Sequence, residues 1–178
     1  MLAKEGRIDV LINNAGMGIS GSIEDSSPED INLQMSTNFM GYVNMIQAIL
    51  PSMRKQNKGT IINISSIGGL MGLPYQGFYS ASKAATTIYL EGLRVELKRH
   101  DIKVITVKPG FVKTPMTDKN EFRMPLLMDA DKAANIIIDG IKKEKRVIQF
   151  PWQMVLLTRI IGMIPGSIYE YLVTKIKV

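Results

Sequence analysis

Tyr79 and Lys83 stand four residues apart in Tyr79-Ser80-Ala81-Ser82-Lys83, and Ser66 precedes the tyrosine by thirteen residues. Four residues make about one helical turn, so a phenol and an ammonium share a face. A free phenol has a pKa of about 10 and is a poor base at neutral pH. A cation about 4 Å away, at an effective dielectric of about 20, supplies roughly 4 kcal/mol. At about 1.4 kcal/mol per pKa unit, that moves the phenol toward neutrality. A phenol tuned this way trades a proton with an alcohol or carbonyl oxygen. A nearby serine hydroxyl can hydrogen-bond the same oxygen. Alone, a Tyr-x3-Lys pair says little, since a surface helix accounts for it equally well.

These side chains need elements to bring them together, and the pattern supplies them. Ile8 to Asn13 reads as a short buried strand leading into Asn13-Asn14-Ala15-Gly16. Ser27-Pro28-Glu29-Asp30 is a helix start, with a capping hydroxyl, a proline in the first turn and acids facing the dipole. That helix is expected to run to Gln56, with a bend at Pro51, and it carries Asn38 within Ser36-Thr37-Asn38. A strand from Thr60 to Ser65 ends beside Ser66, and a helix from Phe78 to His100 carries Tyr79 and Lys83. A strand from Lys103 to Lys108 leads into Pro109-Gly110-Phe111-Val112-Lys113-Thr114. Asp129 is expected to cap a helix to Lys142, followed by a strand from Arg146 to Phe150. Two apolar helices, Trp152 to Ile164 and Ser167 to Lys175, close the sequence around Pro165-Gly166. Strands alternating with helices predict a parallel sheet with helices on both faces. Sites in such sheets form at the carboxyl ends of the strands, so the three motif loops converge on one crevice.

This order and spacing resemble the short-chain dehydrogenase/reductase family over essentially the whole chain, most clearly over residues 1–150. The resemblance implies a Rossmann-like three-layer α/β sandwich in a single partial domain, residues 1–178. Residues 1–150 would be its catalytic half, and 151–178 apolar helices serving as substrate lid or subunit contact. It implies Tyr79 as acid/base, Ser66 holding the substrate oxygen, and Lys83 tuning the phenol and binding the nicotinamide ribose. Asn38 matches the family's fourth catalytic position, supporting a water-linked proton path to the lysine. Asn13, Ala15, Gly16, Pro109, Gly110, Val112 and Thr114 match cofactor-side loops, with a purely structural role for Asn13 equally open. The implied activity interconverts a carbonyl and a secondary alcohol with NAD(H) or NADP(H). The basic balance leans weakly to NADP(H). Dimers or tetramers through the helices at 38–57 and 78–100 are also implied.

The family's opening strand and Gly-rich turn, Thr-Gly-x3-Gly-x-Gly, are not found. Gly16-Met17-Gly18-Ile19-Ser20-Gly21 matches G-x-G-x-x-G as a string, but the next helix signal comes only at Ser27-Pro28. The fingerprint also needs a second strand with an acidic end. The stretch is therefore read as a Gly-rich loop lining the crevice. The sequence is read as beginning at an internal methionine of a longer protein, with the first retained strand at an exposed edge. The rival reading is a non-catalytic half-domain acting as a binding or interaction module. Epimerisation or dehydration by the same tyrosine and lysine is a third, which Ser66 and the short loops disfavour.

Composition sets further bounds. The 178 residues suffice for one domain with a sizeable core. The 22 Lys and Arg against 16 Asp and Glu give +6, scattered rather than clustered, and no nucleic-acid motif accompanies them. With no cysteine and one histidine, His100, a thiolate or histidine metal site is excluded, and His100 reads as a cation at a helix C-terminus. Met1 to Gly6 has no signal-peptide core and no apolar run reaches about 18 residues, so a cytoplasmic protein is expected. Met116, Phe122, Met124, Leu126, Leu127 and Met128 between Lys113 and Met128, with the stretch from Trp152 to Ile164, suit either core and subunit packing or walls for an apolar substrate. Trp152 and Arg159 would also suit a peripheral membrane contact.

Overall fold

Four short runs rich in β-branched and apolar residues form one parallel sheet in a computed structural model, which describes residues 6–120 and 122–175. The strands are β1 (Val10–Asn13), β2 (Gly59–Ile64), β3 (Ile102–Pro109) and β4 (Val147–Phe150), and their order in the sheet is their order in the sequence. The register pairs Asn13 with Asn63, Asn63 with Thr106, and Pro109 with Phe150. Parallel neighbours need crossovers, and helices supply them. They are α1 (Pro28–Met35), α2 (Gly41–Gln56), α3 (Gly77–Glu96) and α4 (Ala130–Lys142), followed by α5 (Trp152–Gly162) and α6 (Gly166–Lys175). Met1 to Glu5, most of the segment read above for a leader, lie outside the described residues.

The sheet has two unequal faces. Alternate strand residues Leu11, Ile61, Ile102 and Val104 pack on Ile46, Ile49 and Met53 of α2 and on Leu90 and Leu93 of α3. Each such fully buried side chain contributes about 1.5–3 kcal/mol. On the other face, Ile62, Ile105, Val107, Ile148 and Phe150 pack on Ala133 of α4 and its neighbours. No β1 residue joins this second cluster, and Val10 and Ile12 of β1 are 51% and 58% exposed. The expected exposed edge strand is present.

Several local readings hold and others change. The Ser27 hydroxyl caps α1 by accepting from the Asp30 N–H at 3.0 Å. Asp129 occupies the N-cap of α4, but its side chain makes no capping hydrogen bond. Pro51 lies inside α2, which continues past it, and the α pattern gives way earlier, to a π-helical turn over Ser36–Met40. Such turns insert one residue into the helix and re-aim the side chains around it. Asn38 is the buried residue of this turn. At Gly16–Gly21 no helix opens, as the rejection of the dinucleotide fingerprint required.

Candidate active site

The carboxyl ends of all four strands open into one cavity of about 850 Å³. Ser66, Tyr79 and Lys83 line it together, although they come from a strand end and a helix. From the loop after β1, Ala15 and Gly16 line it, and from the loop after β3, Pro109, Gly110, Val112 and Thr114. Asn13 and Asn38 do not. Asn13 instead donates to Asn63 Oδ1 at 2.7 Å, in a buried polar row that continues through Thr106 to Arg94. This favours the structural role for Asn13.

Ser66 is brought to Lys83 by a close backbone approach. A short 3-10 turn, Ile67–Leu70, follows the serine and lies on α3. A Cβ on Gly69 would stand 2.7 Å from the Lys83 carbonyl carbon and 2.8 Å from the Ala84 nitrogen, so only glycine fits there. Ser65, the preceding residue, ties the same joint. Its hydroxyl donates to the Lys83 carbonyl at 2.9 Å and pairs with Thr87 at 3.1 Å. Ser66 itself accepts from the Gly68 N–H at 3.0 Å and faces the Tyr79 ring across Gly68.

The electrostatics differ from the expectation that Lys83 draws the phenol down. Burial pushes the Tyr79 phenol above its usual range, and the Ser66 hydroxyl pulls it back in part. The Lys83 ammonium is 5.9 Å from the centre of the Tyr79 ring. Only 4% exposed, it is itself pushed down to about 8 by burial. It donates to the Ile64 carbonyl at 3.0 Å, and Tyr42 Oη donates to the same oxygen at 3.1 Å.

Asn38 acts on the loop after β1. Its Oδ1 accepts from the Met17 N–H at 2.9 Å, and its Nδ2 donates to Met17 O at 2.8 Å and Ser82 Oγ at 3.0 Å. Its carbonyl accepts from Thr86 Oγ1 at 2.9 Å. The amide holds the glycine loop beside Lys83. Gln34 adds a second hold through the Ile19 N–H at 2.5 Å. The loop passes so close to the site that a Cβ on Gly16 would lie 3.4 Å from both Asn38 Oδ1 and Lys83 Nζ.

The remaining wall is apolar. Met116 and Phe122 line it from the stretch 113–128; Leu126 and Leu127, about half exposed, instead border a second, smaller cavity with Trp152. Met154, Leu157 and Ile161 of α5 line the other side, while Trp152 faces away from the cavity. Tyr169 on α6 donates to the Gly72 carbonyl at 2.5 Å and straps this helix across the mouth. Tyr42, Ser65, Gly69 and Tyr169 were not singled out from the sequence. Tyr42 carried a usable signal, since it stands four residues after Asn38 on one helix face. Among the described residues, no cluster of three metal-ligating side chains occurs and no helix is long and apolar enough to cross a membrane.

Residues 1–124 match the family described as short chain dehydrogenase. The chain is 49% identical over 148 residues to the 3-ketodihydrosphingosine reductase of Bacteroides thetaiotaomicron, covering 82% of this chain and 55% of that protein. Over 112 residues it is 42% identical to dehydrogenase/reductase SDR family member 7B of Bos taurus, covering 63% of this chain and 34% of that protein. The chain thus spans about half or less of these relatives' length. Among solved structures, a short chain dehydrogenase from Burkholderia cenocepacia in complex with NADP superimposes with a TM-score of 0.82 at 29% identity, over 96% of this chain and 70% of that one. A short-chain dehydrogenase from Sphingobium yanoikuyae in complex with NADPH gives 0.78 at 26% identity, over 93% and 69%. Family match, strand order and the shared cavity of Ser66, Tyr79 and Lys83 agree: the chain belongs to the short-chain dehydrogenase family.

Proposed function

We propose that this chain forms the catalytic wall of a nicotinamide-dependent reductase that interconverts a ketone and a secondary alcohol on an amphiphile with a long apolar chain. The observation that carries this reading is the placement of Ser66, Tyr79 and Lys83 at the polar end of a cavity whose other walls are apolar. A ketone oxygen between Ser66 and Tyr79 accepts from both hydroxyls. Burial keeps the Tyr79 phenol protonated, which suits a general acid donating to that oxygen as negative charge develops. Lys83, held on Ile64, supplies positive charge behind the phenol and lowers the cost of the phenolate left after donation.

The residues present fit the nicotinamide half of a cofactor. Gly16 offers backbone without a side chain beside Lys83, and Pro109 to Thr114 border the same space. When bound, the nicotinamide supplies the hydride. NAD(H) and NADP(H) both stay open, with a weak lean to NADP(H) from the basic balance of the chain. The apolar substrate reading gains from the name of the Bacteroides relative, a reductase of 3-ketodihydrosphingosine. A homodimer or homotetramer is proposed as well, since Ile88 and Val95 form an exposed apolar row on α3.

The test is to assay the purified protein, with NADPH and with NADH, on 3-ketodihydrosphingosine and on a short aliphatic ketone. Preference for the long substrate by at least about tenfold in kcat/KM, or ~1.4 kcal/mol, is expected from burial of its chain. Equal rates on both would remove the amphiphile. No turnover of either, with cofactor bound, would remove the reductase.

A further inference from the structure

The lysine at the centre of the site has a partner that the family pattern does not name. Tyr42, about one turn after Asn38, is 3% exposed, and burial drives its phenol upward, so it stays neutral. Its hydroxyl donates to the Ile64 carbonyl at 3.1 Å, and Lys83 Nζ donates to that oxygen at 3.0 Å. The Lys83 nitrogen also stands 5.7 Å from the centre of the Tyr42 ring, within reach of its π face. One side chain therefore touches the ammonium's environment twice, through its ring and through the acceptor they share.

We propose that Tyr42 is a positioning residue for Lys83: its ring backs the buried ammonium, and its hydroxyl fixes the Ile64 carbonyl on which the ammonium rests. The peptide at Ile64 precedes Ser65 and Ser66, so Tyr42 also fixes the strand end from which the serine projects. A carbonyl with two lone pairs accommodates both donors, and the hydroxyl orients the peptide without displacing the lysine. The second effect is electrostatic. An ammonium taken out of water is favoured by any fixed negative potential nearby, and a ring face supplies one at no cost in charge. The groups facing Lys83 are Tyr42 on α2, Tyr79 on its own helix, the Ile64 carbonyl of β2 and, across Gly16, the Asn38 amide. None of them carries a charge at neutral pH, so no carboxylate does this work in place of the ring.

The role attributed to Lys83 rests on the reductase reading, but the test does not. The full 178-residue chain is labelled with carbon-13 at lysine Cε, and the Lys83 resonance is assigned by its loss in Lys83→Met. Its titration midpoint is then followed against pH. Tyr42→Leu, which removes both ring and hydroxyl, is expected to lower the midpoint by about half a unit or more, the worth of a desolvated cation–π contact. Tyr42→Phe, which keeps the ring, is expected to restore most of that fall. In the active enzyme, kcat should fall for Tyr42→Leu while KM for the carbonyl stays within twofold. An unchanged midpoint in folded Tyr42→Leu overturns the proposal, as does a Phe variant shifted as far as the Leu one. Tyr42→Met replaces Leu if the latter does not fold. Because the titration uses neither substrate nor cofactor, absence of turnover would count against the reductase alone.

Discussion

The Lys83 ammonium lies 5.9 Å from the centre of the Tyr79 ring and rests on the Ile64 carbonyl, so backbone holds the lysine while it stands beside the phenol. Its charge steadies a phenolate once one forms, while burial keeps the resting phenol protonated. Removing the phenol should therefore remove proton transfer alone. Tyr79→Phe is expected to lower kcat by about a thousandfold, within the range typical of a lost general acid. Thermal unfolding of the variant should match the parent, since the ring stays in place. Turnover within tenfold of the parent would exclude Tyr79 from the chemistry.

Lys83 is held at a cost to folding. Its pKa falls from 10.5 in the unfolded chain to about 8 in the folded one, because burial disfavours the charged form. Below about pH 8 both states carry the proton and the full penalty applies. Between about 8 and 10.5 the unfolded chain binds more protons than the folded one, so stability rises with pH across that window. Lys83→Met should abolish this rise and, at neutral pH, stabilise the protein by up to about 3 kcal/mol while eliminating turnover. Denaturant unfolding at pH 7 and pH 9.5 checks both parts.

Gly69 and Gly72 lie three residues apart and should respond oppositely. A Cβ at Gly69 meets α3 backbone at 2.7 Å, whereas one at Gly72 meets nothing within 4 Å. Gly69→Ala is expected to destabilise by about 2–3 kcal/mol, in the range of overpacked cores. Gly72→Ala should be neutral or stabilise by up to about 1 kcal/mol through the unfolded chain. Paired melting curves decide the matter.

Asn38 holds Met17 by both its N–H and its carbonyl. Asn38→Ala leaves those groups and Ser82 without their partner, at about 1–3 kcal/mol for each buried group that water cannot reach. The glycine loop should loosen, and KM for the cofactor should rise more than KM for the carbonyl. Amide exchange at Met17, measured without ligands, should quicken at least tenfold. Unaltered exchange would show that the loop is held by Gln34 and packing instead.

What the sequence disclosed follows the range over which each interaction acts. The strands were readable because Val10-Leu11-Ile12 and Thr60-Ile61-Ile62 are apolar runs between turn residues. Ser66, Tyr79 and Lys83 were readable because their order along the chain carries their chemistry, and the cavity does bring them together. The π turn at Ser36–Met40 was not, since nothing in a 3.6-residue period marks an inserted residue. Gly69 was hidden because its constraint comes from the backbone of Lys83, fourteen residues away. Leu126 and Leu127 fall outside the main cavity, in a smaller one beside Trp152, because apolar residues in a loop do not announce which side they face. The polar row from Asn13 to Arg94 joins three strands and a helix, and no local pattern foretells it.

The contact between Gly69 and α3 divides the cavity into two kinds of wall. Behind Ser66 and Lys83, backbone touches backbone, and a side chain added at Gly69 would displace the strand end. Opposite them, Met116, Met154 and Leu157 present only side chains. Mutation on that second wall can change what the cavity admits and leave the proton donor where it is. A library confined to those positions is the natural route to new substrates for this scaffold, and its members should inherit the parent's pH profile.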